Sequence, residues 1–128
     1  MADRDQIDKT IDAYLASFTA LDRDAWLACF GPDAWIEDPI GSELRRGRDG
    51  IAAFWDEIHV IPDSIELWVT GPRVIIGHEA VLNLEARPSL GGDTYALDVV
   101  DVITFDDDAR ITSFRAFYES GSLRPLYR

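Results

Sequence analysis

The stretch Thr94-Tyr95-Ala96-Leu97-Asp98-Val99-Val100-Asp101-Val102-Ile103-Thr104-Phe105 decides the fold. Its side chains alternate, so Leu97, Val99, Asp101, Ile103 and Phe105 share one face of a long strand. Asp106-Asp107-Asp108-Ala109 reads as a turn, and Arg110 to Glu119 returns as the second arm of a hairpin. Upstream, Ser64 to Thr70 and Ala80 to Arg87 are two further strands. The first half of the chain has a different period. Ile7, Ile11, Tyr14, Leu15 and Phe18 recur at helical spacing. A short second helix starts at its N-cap Asp22, carries Trp26, Leu27 and Phe30, and ends at Gly31-Pro32. A short strand, Ala34 to Asp38, follows and stops at Pro39, with Gly41 in the turn. A third helix begins near the N-cap Asp49 and buries Ile51, Phe54, Trp55 and Ile58. Helices followed by a run of antiparallel strands define an α+β class. The expected architecture is a curved, mostly antiparallel sheet wrapped around three N-terminal helices, enclosing an apolar pocket.

A length of 128 residues fits one domain, spanning 1–128. Apolar residues make up 47% of it, enough to close a core and still line a cavity. The net charge of −12 repels phosphates, which argues against nucleic acid and against anionic membrane surfaces as partners. A neutral apolar ligand remains compatible with it. Cys29 is the only cysteine, so no disulfide framework is expected. Met1-Ala2-Asp3-Arg4-Asp5 is charged and lacks the apolar region of a signal peptide. No apolar run reaches the length of a membrane span. A cytoplasmic location is the expectation.

The informative positions are polar groups where the pattern calls for apolar ones. Asp101 is the only polar member of its strand face. Asp38 shares a face with Ala34 and Ile36. Tyr14 brings a hydroxyl to the buried stripe of the first helix. Phe114, Ala116 and Tyr118 share a face of the last strand and offer pocket wall. A buried carboxylate must be paired, hydrogen-bonded or neutralised. No Arg or Lys shares the strand face of Asp101, so protonation is the easier outcome. Holding it neutral at pH 7 takes about 4 kcal/mol, which an apolar cavity can supply. Two plainer readings stay open. A lone Asp in a strand also occurs at a solvent-facing edge or paired with an Arg from elsewhere, and a helical Tyr is commonly core with a satisfied hydroxyl. Spacing does not show that the three groups converge.

The segment Trp35-Ile36-Glu37-Asp38-Pro39-Ile40-Gly41-Ser42-Glu43 closely resembles the E-D-P-x-G segment of bacterial ketosteroid isomerases, within the NTF2-like (SnoaL-like) superfamily. Gly47-Arg48 with Ile51-Ala52-Ala53-Phe54 follows it, and Ala96-Leu97-Asp98-Val99-Val100-Asp101-Val102 with Phe105-Asp106 looks like the family's oxyanion strand. The Tyr14–Asp38 and Asp38–Asp101 intervals agree as well, and the likeness runs from the first helix to about Tyr118. The resemblance implies a cone-shaped fold and a steroid Δ-isomerase. In that reading Asp38 carries a proton from C4 to C6 of a Δ5-3-ketosteroid. Tyr14 and a protonated Asp101 form the oxyanion hole. A neutral oxyanion aspartate is an established property of those enzymes. It further implies substrate-binding positions at Phe54, Trp55, Val99, Phe114, Ala116 and Tyr118, a neutral steroid as partner, a homodimer, and no metal or organic cofactor. The Asp38–Pro39 bond is a candidate for the cis form.

Two positions depart from the family. Trp55 stands where members carry a Tyr whose hydroxyl supports the catalytic Tyr. An indole N–H only donates, so Trp55 is expected either to donate to Tyr14 or to leave a simpler network there. Tyr118 stands where some members place a Trp. His59 and His78 are single and distant in sequence, suited to surface or capping roles rather than to a metal. Arg45-Arg46-Gly47-Arg48 reads as a solvated loop, and Asp98 lies on the face opposite Asp101. A non-catalytic pocket for an apolar ligand, and another reaction such as a polyketide cyclase's on the same fold, are the alternatives.

Overall fold

A computed structural model describes residues 2–126. Helix α1 (Arg4–Thr19) opens with a capping box: Asp3 accepts from the Gln6 backbone N–H, and the Gln6 side chain accepts from the Asp3 N–H. Its buried stripe is Ile7, Ile11, Tyr14, Ser17 and Phe18. Helix α2 (Arg23–Ala28) is capped by Asp22 and buries Trp26 and Leu27. It stops earlier than the sequence suggests. Phe30 begins strand β1 (Phe30–Glu37), and Gly31-Pro32 lie inside that strand. The reason is a register shift: β1 pairs with the neighbouring strand at Phe30 and again from Trp35 onward. Pro32, which has no N–H to give, falls in the unpaired interval.

Strand β2 (Arg45–Arg46) pairs antiparallel with β1, and α3 (Gly47–Ile58) follows directly. The basic patch is therefore a strand and a helix start rather than a loop, because Arg45 and Arg46 find backbone partners in Ile36 and Trp35. Arg45 also pairs with Glu57 at 2.5 Å. Asp49 lies within the first turn of α3 rather than at its cap, where its charge suits the helix dipole.

The remaining strands are β3 (Ser64–Val69), β4 (Val74–Ile76), β5 (Glu79–Leu90), β6 (Asp93–Phe105), β7 (Ile111–Phe117) and β8 (Arg124–Leu126). The sheet order is β2-β1-β7-β6-β5-β3, with β4 on β5 and β8 on β6. Every pairing is antiparallel except β1 with β7. This mixed sheet curves around the helices and does not close into a barrel. The three shortest strands were not anticipated, since two or three residues carry no periodicity. The β6–β7 turn is built by Asp106: its backbone O accepts from Ala109 N, and its carboxylate accepts from Asp108 N and Arg110 N. Ala109 sits at φ 60°, and its carbonyl accepts from the Thr10 hydroxyl, which fastens α1 to the turn. No described helix is long and apolar enough to cross a membrane.

Candidate active site

The site begins with Asp101, at the middle of β6. Its register partners are Leu82 on β5 and Ala116 on β7, so its side chain leaves the sheet on the face that covers the helices. Only 3% of it is exposed. Tyr14 reaches the same space from α1 because Ile7, Ile11 and Phe18 seat that face of the helix against the sheet. Asp38 lies one residue beyond β1, at the Asp38–Pro39 peptide bond, which is cis. The Ile40 N–H donates to Ala116 O at 2.9 Å, which ties the segment after Asp38 to β7.

All three groups line one cavity of about 200 Å³, far more than the ~30 Å³ of a single water. It is therefore far larger than an ordinary packing gap. Tyr118, just past β7, is the fourth polar group in the wall. The other end is apolar: Ile58, Ile65, Leu67, Ala86, Pro88 and Leu97 line it. Along β6 the wall from Asp101 to Leu97 covers four residues, about 13 Å.

The hydrogen bonding divides the four groups into two pairs. Tyr118 Oη donates to Asp38 Oδ1 at 2.5 Å. Tyr14 and Asp101, by contrast, have no hydrogen-bond or ion-pair partner with good geometry among the described residues. Their polar atoms face the cavity and are free to meet a ligand. Burial raises Asp101 well above the usual carboxylate range, and the nearby negative charge of Asp38 raises it further. Burial also raises Asp38, and the Tyr118 hydrogen bond offsets part of that rise, which leaves Asp38 above the ordinary carboxylate value. The two carboxyls thus separate: Asp38 gives up its proton first, and Asp101 keeps its own. Burial raises Tyr14 well above the ordinary phenol, helped by Asp101 and then Asp38. It stays a neutral donor.

Of the expected wall positions, Phe54, Val99, Phe114 and Tyr118 line the cavity, and Trp55 and Ala116 do not. Trp55 packs instead against His59, Trp26 and Phe18, with ring centroids 4.2, 4.9 and 5.6 Å away. Its indole is spent on the aromatic core. Ala116 is buried beside Asp101 as its cross-strand partner. The indole next to Tyr14 is that of Trp26, which the sequence places on the second helix without marking it as a site residue. Its Nε1 is buried without a well-aligned acceptor, and its N–H offsets a small part of the rise in the Tyr14 pKa. Among the described residues no tyrosine hydroxyl bonds to Tyr14, so the network there is a simple one. His59 caps α3, its Nδ1 2.6 Å from Trp55 O, and His78 is exposed. Asp98 is exposed beside Arg124 at 3.2 Å. Among the described residues no three of His, Cys, Asp and Glu are grouped to hold a metal ion.

An α+β cone whose sheet cups an apolar cavity with carboxyls at one end is a fold with many relatives. The SnoaL-like domain family matches residues 11–114. The steroid Delta-isomerase of Nocardioides simplex is 33% identical over 118 residues, covering 92% of this chain and 94% of that one. The chain therefore belongs to the SnoaL-like family, of NTF2-like fold. Solved structures agree on the architecture. SalBIII, an epoxide hydrolase/cyclase-like enzyme with a role in pyran ring formation in polyether salinomycin, superposes with a TM-score of 0.87 at 21% identity, over 98% of this chain and all of that one. RV0760c from Mycobacterium tuberculosis gives 0.85 at 19% identity, over 98% and 100%. A computationally designed 17-OHP binder gives 0.81 at 21%, over 96% and 98%. At such identities these likenesses speak for the fold alone.

Proposed function

We propose that this protein is a steroid Δ5-isomerase that converts Δ5-3-ketosteroids to Δ4-3-ketosteroids through a dienolate. The observation that carries the reading is the division of roles inside one cavity. Two neutral donors, Tyr14 and Asp101, have no acceptor for their O–H among the described residues, and Asp38, the less raised of the two carboxyls, is the one to ionise. In the reaction Asp38 removes a proton from C4, and the electron pair moves through the carbonyl to give a dienolate. Tyr14 and protonated Asp101 donate hydrogen bonds to the C3 oxygen as its charge grows. Donors fixed in a dry site stabilise that charge more than water does. Asp38 then returns the proton to C6, which shifts the double bond into conjugation. Proton count and charge are restored at the end of each cycle.

The apolar end of the cavity suits the body of a steroid, which offers hydrocarbon over most of its length. The kinship with the Nocardioides steroid Delta-isomerase supports the same substrate class. A plain carrier of apolar ligands has no use for two buried carboxyls, because burial without partners costs free energy. The test is optical. Mixing the protein with 5-androstene-3,17-dione is expected to produce conjugated-enone absorbance, and Asp38→Asn is expected to remove most of the rate. Absence of absorbance beyond the background rate contradicts the proposal.

A further inference from the structure

Asp38 has a difficult assignment. It must be ionised to act as a base, yet burial pushes it toward the neutral form. The other titratable groups packed around it do not help. Asp101 on β6 and Tyr14 on α1 face the same cavity, and neither carries a positive charge. From α3 only Phe54 and Ile58 reach the cavity. On β2, Arg45 is committed to Glu57, and the Glu37–Arg115 pair at 3.3 Å spans β1 and β7. Among the described residues the one hydrogen bond to the Asp38 carboxylate comes from the Tyr118 hydroxyl, at 2.5 Å, the length of a charge-assisted O–H···O⁻ bond.

We infer that Tyr118 is the positioning residue of the base: its hydroxyl holds Asp38 Oδ1, fixes the plane of the carboxylate, and leaves Oδ2 as the oxygen that takes and returns the proton. The inference rests on the isomerase reading for the meaning of the base, but the bond itself does not. Tyr118 follows β7 directly, and Asp38 follows β1, the parallel neighbour of β7. Two adjacent strand ends therefore deliver the pair, and the register Glu37↔Arg115 fixes their relative height. Tyr118 also stays a donor under working conditions, because burial and then the Asp38 charge hold its phenol well above the ordinary value. A tryptophan or a phenylalanine at this position offers a poorer donor or none. The chain thus couples the acidity of its base to a phenol.

The test follows Asp38 directly, by ¹³C NMR of protein labelled at the aspartate side-chain carboxyl carbon, without substrate. The Asp38 signal is assigned by its loss in Asp38→Asn. In Tyr118→Phe its midpoint is expected to rise by about one pH unit or more, the size of a lost hydrogen bond to a charged group. The acid limb of kcat/KM is expected to move with it. With 3-fluorotyrosine at position 118, a more acidic phenol of nearly the same shape, the midpoint is expected to move down. This second variant decides the matter if the phenylalanine protein does not fold. Midpoints unmoved in the variants that fold overturn the inference. So does a Tyr118→Phe effect confined to KM, which belongs to a simple wall residue. The midpoints need no turnover, so a wild-type protein without isomerase activity overturns the proposed function and leaves this measurement readable.

Discussion

Trp26 and Tyr14 lie side by side in the core, ring centroids 6.3 Å apart and inclined at 41°, and the buried indole N–H, which has no well-aligned acceptor among the described residues, still pulls the Tyr14 phenol toward greater acidity. A donor on that oxygen makes Tyr14 the stronger acid. Trp26→Phe is therefore expected to lower kcat several-fold, about 1 kcal/mol of barrier, with KM nearly unchanged. Steady-state kinetics on the soluble variant check this; an unchanged kcat removes Trp26 from the account.

Removing either oxyanion donor acts on the chemical step. Tyr14→Phe and Asp101→Leu are each expected to lower kcat by about 10²-fold or more, with a smaller effect on KM. Each donor meets its strongest acceptor only when the C3 oxygen carries charge. A loss that falls on KM alone contradicts the assignment.

Asp101→Leu is also expected to stabilise the fold. The native carboxyl is buried without a partner, and leucine fits the apolar face it shares with Val99 and Ile103. The pH dependence has a definite sign. Asp101 is raised in the folded protein, so above about pH 3.9 the unfolded chain loses a proton that the folded one keeps. Its contribution to stability is full below that pH and is lost as pH rises toward the folded value, by about 1.4 kcal/mol per pH unit. Asp101→Leu lacks this loss. Urea unfolding of both proteins between pH 4 and pH 7 is expected to show a gap that widens with pH; a constant gap contradicts a protonated Asp101.

The rate itself should be bell-shaped in pH. Activity falls on the acid side as Asp38 takes up a proton, and the limb lies above the ordinary carboxylate range because burial raises that group. It falls on the basic side as Asp101 ionises. The profile of kcat/KM measures both limbs, and Asp101→Asn, which cannot ionise, is expected to lose the basic one.

Much of this was legible in the residues because it is written in period. The alternation around Asp101 put it on an otherwise apolar face of β6, which the fold turns inward, and the stripe from Ile7 to Phe18 carried Tyr14 on its buried side. The family segment at Glu37-Asp38-Pro39 supplied the third group. What period does not encode was missed. Trp26 and Trp55 both lie on buried helical faces, and only packing decides that Trp55 turns to His59 while Trp26 turns to Tyr14. The Tyr118–Asp38 bond joins residues 80 apart in sequence, brought together by the parallel pairing of β1 with β7, which no local signal announces. Pro32 read as a helix stop because a bulge and a helix end share the same residues.

The proposed chemistry turns on the charge of one side chain, Asp101, before substrate is added. Infrared difference spectra of wild type minus Asp101→Leu at pH 7 read it directly. A protonated-carboxyl C=O band in the wild type that vanishes in the variant is the expected result. A carboxylate band in its place means that Asp101 is an anion beside Asp38, and an anion cannot donate a hydrogen bond to an enolate.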